Sequence, residues 1–419
     1  MAPAMHKLKI GIIFGGRSSE HEVSLASATS VLTYLDKEKY EVTPIGITRE
    51  GKWIVGITPA QLLQEEQEVS ERDHMLTSAL NLATRPGPVF ISNGSPLPLV
   101  EKMDVIFPVL HGTYGEDGTV QGFLELADVP YVGCGVLGAA LGMDKDKTKV
   151  LFRAMGLSTV NTFVCQRSTW RRSPEQIMDT IAQQIGFPCF VKPANGGSSI
   201  GISKVYNQAE LAQALQLAAY YDTKLVAEQA ISCRELSCAV IGNNEPIASV
   251  VGEVIFTHDF YDYRAKYLNS TSYTVVPADI PKEVSDEIRS QAVRAFRALD
   301  LSGLARVDFF LETNTGRIII NEVNTFPSFT RQCLCPKLCE TIGLPYPLLL
   351  EYLIELALER YADRQNNHTC VHFDTLHTNV AGNIITTEKV QAVTELIPER
   401  VLDINLELKQ QFTHQHVSC

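Results

Sequence analysis

Apolar positions along the chain fall into unbroken runs, alternating runs and helical stripes, and each kind predicts a different element. LKIGIIFGG is an unbroken run ending in Gly15-Gly16, the pattern of a buried strand that breaks into a tight turn. SSEHEVSLASATSVLTYL then has helical spacing, with Ser18 or Ser19 as its cap. Strand, turn and helix in that order predict an α/β layer domain. Further strands are expected at YEVTPIGIT and DVIFPVL, followed by the glycine-rich turn HGTYGEDG. MDKDKTKVLFRAMG reads as a helix opening a second unit, FPCFVKP as a strand running into NGGSSIG, and KLVAEQAI as another strand. From about Cys233 strand patterns dominate, in ELSCAVIG and IASVVGEVIF. PYPLLLEYLIELALERY closes the core as an amphipathic helix. Beyond Ala362 the chain turns polar and then carries short apolar pieces (AGNIITT, RVLDINLEL) to which no role is assigned.

The sharpest alternation is ARVDFFLETNTGRIIINEVN, Ala305 to Asn324. Two β-rich runs flank Thr-Asn-Thr-Gly, which reads as a hairpin turn. Pairing Asp308 with Glu322 leaves a three-residue loop and sets Arg306 opposite Asn324. Those four side chains share one face, while Val307, Phe309 and Leu311 take the core face. Carboxylates directly opposite each other destabilise a strand pair and drive one pKa upward, unless a cation lies between them. Two acids and an amide oxygen suit a hard cation such as Mg2+, which shares its oxygen ligands with phosphates. A solvated sheet face whose acids pair with Arg306 fits the same spacing, and spacing alone leaves both readings open.

At 419 residues the chain is long enough for two or three domains with real cores. A formal charge of -12 disfavours a nucleic-acid surface, so steering of an anionic substrate falls to locally placed Lys and Arg. Met1 to Lys9 lacks the apolar core of a signal peptide, and runs such as Tyr346 to Leu358 are too short and too charged to span a bilayer. A cytoplasmic location and no membrane partner are the expectation. The ten cysteines are scattered, which suggests reduced thiols. CLCPKLC has no matching His or Cys pair at zinc spacing, so Cys333, Cys335 and Cys339 read as thiols buried beside a helix.

Candidate chemistry sits at the strand ends. Lys192-Pro-Ala-Asn-Gly-Gly-Ser-Ser199-Ile-Gly201 follows a strand, and its glycines allow backbone N–H groups to approach an anion closely. A plain Gly-Ser turn fits that stretch equally well, and the GxxxxGK[ST] loop occurs nowhere. The dinucleotide fingerprint is also absent, since Arg-Ser-Ser follows Gly15-Gly16. HGTYGEDGTVQG packs His111, Glu116 and Asp117 into a tight polar loop at a strand end, where ligands bind in α/β sheets. Residues 257–277 form a long, tyrosine-rich connection that reads as a lid or as a tyrosine-anchored surface loop.

In this order the pieces resemble the D-alanine–D-alanine ligases of the ATP-grasp superfamily. GGRSSEHEVSL, HGTYGEDGTVQG, MDKDKTK, VKPANGGSSIG, FYDYRAKY and RVDFF with INEVNT carry the resemblance, which runs from Lys7 to about Tyr361. It implies an α/β (α+β ATP-grasp) fold. A Rossmann-like N-terminal substrate domain (1–140) would precede a two-part ATP-grasp domain, with a central subdomain (141–231) and a C-terminal subdomain (232–361). Residues 362–419 would be an extension. The implied activity is ADP-forming ligation of two D-alanines through an acyl phosphate, for peptidoglycan synthesis, cell-wall biogenesis and cell shape. The implied cofactors are ATP and two Mg2+ ions, with Mn2+ as a substitute, and a homodimer is the implied assembly.

Carried over position by position, Asp308, Glu322 and Asn324 would hold the metal ions. Lys145, Lys192 and Ser199 would contact phosphates, with Lys266 reaching the γ-phosphate. Glu228 would reach adenine and Glu235 the ribose. Arg306 would stabilise the tetrahedral intermediate. Glu20 would hold the first ammonium group near His111, and Glu20, Ser198 and Tyr267 would latch the lid. The Ser328 backbone N–H would help the oxyanion hole, and Cys333 and Leu334 would bind the second substrate.

Two departures bear on these positions. Ser328 replaces the family's glycine, which matters only if its φ is positive. Cys333 replaces a serine that donates to the second substrate's carboxylate, and a thiol is the poorer donor. Arg331, where an uncharged residue is usual, would then be a compensating cation. The alternatives are therefore a ligase with a different second substrate (D-lactate, D-serine or another amino acid) and a non-catalytic ATP-binding regulator.

Overall fold

The computed structural model describes residues 7–67, 100, 102–256 and 272–367. Lys266 and Tyr267, with most of the expected lid, and residues 368–419 lie outside the described residues.

Strand β1 (Leu8–Gly15) lies inside a four-stranded sheet of order β3-β2-β1-β4. It pairs in parallel with β2 (Tyr40–Ile47) and β4 (Val105–Val109), and β3 (Trp53–Val55) runs antiparallel to β2. The unbroken apolar run has its cause here: Ile10, Ile12, Ile13 and Phe14 are fully buried because both faces of the strand are covered. Gly15 and Gly16, at φ 88° and 96°, turn the chain into helix α1 (His21–Tyr34). Neither serine caps that helix. Glu20 occupies the cap position, and the Ser18 hydroxyl accepts from the Glu20 N–H at 3.1 Å, so the serine closes the turn one step earlier.

Helices α2 (Thr119–Leu126), α3 (Val136–Met143) and α4 (Lys145–Ala154) lead to a second sheet of order β5-β8-β6-β7. Its strands β5 (Thr162–Gln166), β6 (Cys189–Pro193), β7 (Ser203–Val205) and β8 (Lys224–Gln229) are antiparallel. Helices α5 (Arg167–Arg172), α6 (Pro174–Gln184) and α7 (Gln208–Tyr221) complete this unit's core with Trp170, Ile181 and Leu215.

The third sheet has order β11-β10-β9-β12-β13 and is antiparallel throughout. Its strands are β9 (Cys233–Gly242), β10 (Ile247–Phe256), β11 (Ser272–Val275), β12 (Gly303–Glu312) and β13 (Ile318–Asn324). Helix α8 (Lys282–Ala298) covers one face, against Val307 and Phe309. On the other side lie α9 (Leu334–Glu340) and α10 (Tyr346–Arg364). Helix α10 is more than amphipathic. Tyr352 to Ile354 and Leu356 to Leu358 are all buried, because the helix wedges between the third sheet and the first. Every described cysteine is a free thiol; Cys335 and Cys339 are buried on α9 itself, and Cys333 is its N-cap residue.

In the β12–β13 ribbon Arg306 lies opposite Asn324 and Asp308 opposite Glu322. The register then shifts, and Phe309 faces Ile320. Asn321 is the extra residue of a β-bulge, which corrects the three-residue turn. Glu312 N–H bonds Arg317 O at 3.0 Å, so residues 313–316 make the turn.

Candidate active site

The three sheets meet at a cleft of about 390 Å³. The first sheet's loops bring Glu20, His111 and Glu116 to it. The second unit brings Lys145, Ser198 and Ser199. The third sheet brings Glu235, Arg306, Asp308, Glu322 and Asn324, and the loop before α9 brings Ser328, Cys333 and Leu334. A neighbouring cavity of about 640 Å³ shares Ser199, Glu235 and Glu322 and adds Lys192 and Glu228.

Asp308 is saturated. Arg306 donates to both its oxygens, at 2.8 and 2.7 Å, in a two-pronged pair. Ser237 Oγ donates to Oδ1 at 2.7 Å and the Asn324 amide to Oδ2 at 2.8 Å. Burial opposes the Arg306 charge, but the Asp308 carboxylate outweighs it and raises the guanidinium pKa. In this structure the cation beside Asp308 is therefore a guanidinium. Among the described residues no group of three His, Cys, Asp or Glu side chains is close enough to hold a metal. Two acids and an amide, all oxygen donors on one ribbon face, fit a hard divalent ion all the same, once the Asn324 amide turns its oxygen to the cleft.

Behind the ribbon lies a charge cluster. Lys192 Nζ is 2.5 Å from Glu228 Oε2, and Lys149 Nζ is 2.7 Å from Oε1, an ion pair not aligned as a directed hydrogen bond. Burial alone would raise the Glu228 pKa; Lys149 and Lys192 reverse this and bring it down to about 2. Lys145 donates to the Gly196 carbonyl at 2.7 Å, which ties α4 to the glycine-rich loop. Burial lowers the pKa of Lys145 and of Lys149, against the pull of Glu322 on the first and Glu228 on the second. Sequence reasoning passed over Lys149. Its signal was the spacing from Lys145, four residues along one helix, which puts both on one face.

The acid Glu20 is 6% exposed and accepts a hydrogen bond from Ser198 Oγ. A Cβ at Gly197 would overlap Glu20 Oε2, so a larger residue there would make this carboxylate shift. His111 is 2% exposed, with Nδ1 3.0 Å from Phe326 O and Nε2 2.9 Å from Ser27 Oγ. A carbonyl only accepts, so Nδ1 carries the proton and Nε2 accepts from the serine. Burial lowers the imidazole pKa to about 4, and the ring is neutral. Glu116, also missed as a working residue, accepts from Gly112 N–H at 2.8 Å and Phe326 N–H at 2.9 Å. It thereby pins the His111 loop to the segment after β13. Burial, then Glu20, raises its pKa.

At the far end of the cleft, Ser328 is not among the residues with positive φ, so it keeps its N–H without left-handed strain. Cys333 Sγ lies 3.0 Å from Thr330 Oγ1. Arg331 turns away from the cleft. Its guanidinium sits 5.4 Å from the Tyr34 ring centroid and donates to the Tyr34 hydroxyl at 3.3 Å.

Residues 9–134 match the family D-ala D-ala ligase N-terminus, and residues 151–355 match D-ala D-ala ligase C-terminus. The D-alanine–D-alanine ligase of Acetivibrio thermocellus is 45% identical over 366 residues, covering 85% of this chain and 97% of the relative. That of Natranaerobius thermophilus is 46% identical, covering 87% and 99%. Two solved structures superpose with a TM-score of 0.69. The VanG D-Ala:D-Ser ligase of Enterococcus faecalis is 37% identical and covers 84% of this chain and 100% of its own. The D-alanine–D-alanine ligase of Coxiella burnetii is 34% identical and covers 86% and 96%.

Proposed function

The chain belongs to the D-alanine–D-alanine ligase family, and on that premise we propose that it joins two D-alanines with cleavage of ATP to ADP and phosphate. The observation that carries the reading is convergence. The Arg306, Asp308, Glu322 and Asn324 face opens onto the same cleft as Glu20, Ser198 and Lys145. A regulator that only bound nucleotide would have no use for both. The relatives of 45–46% identity share one name, so D-alanine is the second substrate in this reading.

In the first step a carboxylate oxygen of one D-alanine attacks the γ-phosphorus, and the bond to the β,γ-bridging oxygen breaks. Glu20 holds the ammonium group of that D-alanine. The neutral His111 stays tied to Phe326 and Ser27, so it shapes the subsite without adding charge. Lys145 and Lys192 bind phosphate oxygens, and Glu235 the ribose. Glu228, enclosed by two lysines, lines the cavity assigned to the base. Mg2+ held by Asp308, Glu322 and Asn324 would supply neutralisation of phosphate charge. Such transfer depends on alignment and charge compensation more than on covalent help.

In the second step the neutral amine of the other D-alanine attacks the acyl phosphate, and phosphate leaves with its bonding electron pair and takes up the proton the nitrogen sheds. Arg306 and the Ser328 N–H stabilise the oxyanion that forms on the acyl carbon. Cys333, Thr330 and the segment at Leu334 receive the second carboxylate. No described helix is long and apolar enough to cross a membrane. A cytoplasmic homodimer feeding peptidoglycan synthesis is the setting proposed for this activity.

The test is mass spectrometry of products after incubation with ATP, Mg2+ and a panel of D-amino and D-hydroxy acids. D-alanyl-D-alanine, with phosphate release dependent on D-alanine, is the expected result. A mixed product formed in preference would overturn the second substrate, and the absence of any condensed product would overturn the enzyme reading.

A further inference from the structure

Lys149 is 1% exposed and lines neither cavity. An ammonium group withdrawn so far from water persists only with a counter-charge and hydrogen bonds to offset its desolvation. Lys149 has both: the Glu228 carboxylate at 2.7 Å, and the carbonyl of the bulge residue Asn321 at 3.1 Å, which fixes the ammonium in place. Glu228 is itself 3% exposed and holds Lys192 on its other oxygen at 2.5 Å. One buried carboxylate therefore stands between two ammonium groups. Only Lys192 of the pair reaches the cavity assigned to the nucleotide.

The arrangement poses a problem for Lys192. A lysine held by a buried carboxylate at 2.5 Å is a poor phosphate ligand, because contact with phosphate competes with that pair. A second, permanent cation on the same carboxylate removes the competition. We propose that Lys149 is a positioning residue for nucleotide binding: it neutralises Glu228 from behind, so that the charge of Lys192 is in surplus and available to phosphate. The inference rests on the ligase reading for the identity of the ligand and goes beyond it in assigning a role to a residue that touches no substrate. A purely structural Lys149 would support the fold and leave the division of charge at Lys192 irrelevant.

The experiment is titration calorimetry of the full chain with ADP and Mg2+, alongside thermal unfolding. Lys149→Met leaves Glu228 with Lys192 alone, and ADP should bind about 10- to 100-fold more weakly, the span covered by a hydrogen bond to a charged group. The Michaelis constant for D-alanine should stay within about twofold, a split that general loosening of the fold would not produce. Lys149→Arg keeps the second cation on Glu228, and its affinity should stay within about threefold of wild type. Wild-type affinity in Lys149→Met overturns the proposal, as does a Lys149→Arg variant that binds no tighter than Lys149→Met. Should Lys149→Met not fold, Lys149→Gln, which likewise removes the charge, carries the test, and wild-type affinity in it overturns the proposal. A wild type that binds no ADP overturns the ligase reading along with this one, whereas normal wild-type binding with an unaffected Lys149→Met removes this one alone.

Discussion

The two ends of the cleft are made of different materials. At the ribbon end the working side chains sit in charge networks: Arg306 with Asp308, and Lys149 and Lys192 with Glu228. At the acceptor end, contacts are neutral. Tyr346 Oη donates to Phe329 O at 2.5 Å, and Thr330 meets Cys333. Breaking a buried ion pair leaves a bare charge, while trimming a neutral contact loses one modest interaction. The ribbon end should therefore respond to substitution almost in all-or-none fashion, and the acceptor end by degrees.

Arg306→Met should break the comparison open most widely. It removes the oxyanion ligand and leaves Asp308 without its two-pronged partner. Loss of one such donor costs roughly 10²–10³ in kcat. Steady-state kinetics at saturating D-alanine would read it, and a loss below tenfold would remove Arg306 from the chemistry.

The glycine-rich loop lies between the two ends. Gly197→Ala places a methyl group against Glu20 Oε2 and should displace that carboxylate from its place beside the loop. Overpacking of this kind costs ~1–3 kcal/mol, or roughly 5- to 100-fold in the Michaelis constant of the first D-alanine. An unchanged constant would mean that the loop's approach to Glu20 does not serve that substrate.

Acid titration sharpens the contrast in stability. The Glu228 carboxyl falls from its ordinary 4.5 to about 2 in the folded chain. A group depressed by folding contributes stability above its unfolded pKa and loses it as pH drops through the folded one. Wild type should thus shed roughly 3 kcal/mol between pH 4.5 and 2 on account of this group. Urea unfolding of Glu228→Gln should show a gap to wild type that closes across that interval. A gap independent of pH would deny the lysine cluster its part in stability.

Legibility in the sequence followed the same divide. The ribbon register could be read because alternation fixes which side chains share a face, and Asp308 with Glu322 fell where the pattern put them. The bulge at Asn321 could not, since one extra residue beyond the acids leaves their alternation intact. The resemblance of ordered motifs led to the fold class and the family. Lys149 stayed hidden because a lysine in a polar helix reads as solvated, and its partner Glu228 is 79 positions away, a pairing only the fold creates. Arg331 was misjudged for a related reason: the Tyr34 ring that draws it off the cleft belongs to α1, at the other end of the chain. The wedge of α10 was invisible because burial on two sides depends on two sheets that meet only in the folded molecule.

Cys333→Ser should have the smallest effect and still distinguish two accounts of the acceptor end. A serine there donates more strongly than the thiol. If Cys333 alone receives the second carboxylate, restoring the hydroxyl should lower the acceptor's Michaelis constant by roughly tenfold or more, the lower end for a hydrogen bond to a charged group. Thr330 changes that expectation, because its hydroxyl lies 3.0 Å from the sulfur and can donate to the same carboxylate. With Thr330 serving, the gain should shrink to about two- or threefold, with kcat unchanged. Thr330→Val then becomes the sharper probe: in the wild-type background it should raise the acceptor constant, and in the Cys333→Ser background much less, since serine takes over the contact. Equal effects in both backgrounds would make the two side chains independent, and no effect in either would return the acceptor carboxylate to backbone donors at Leu334.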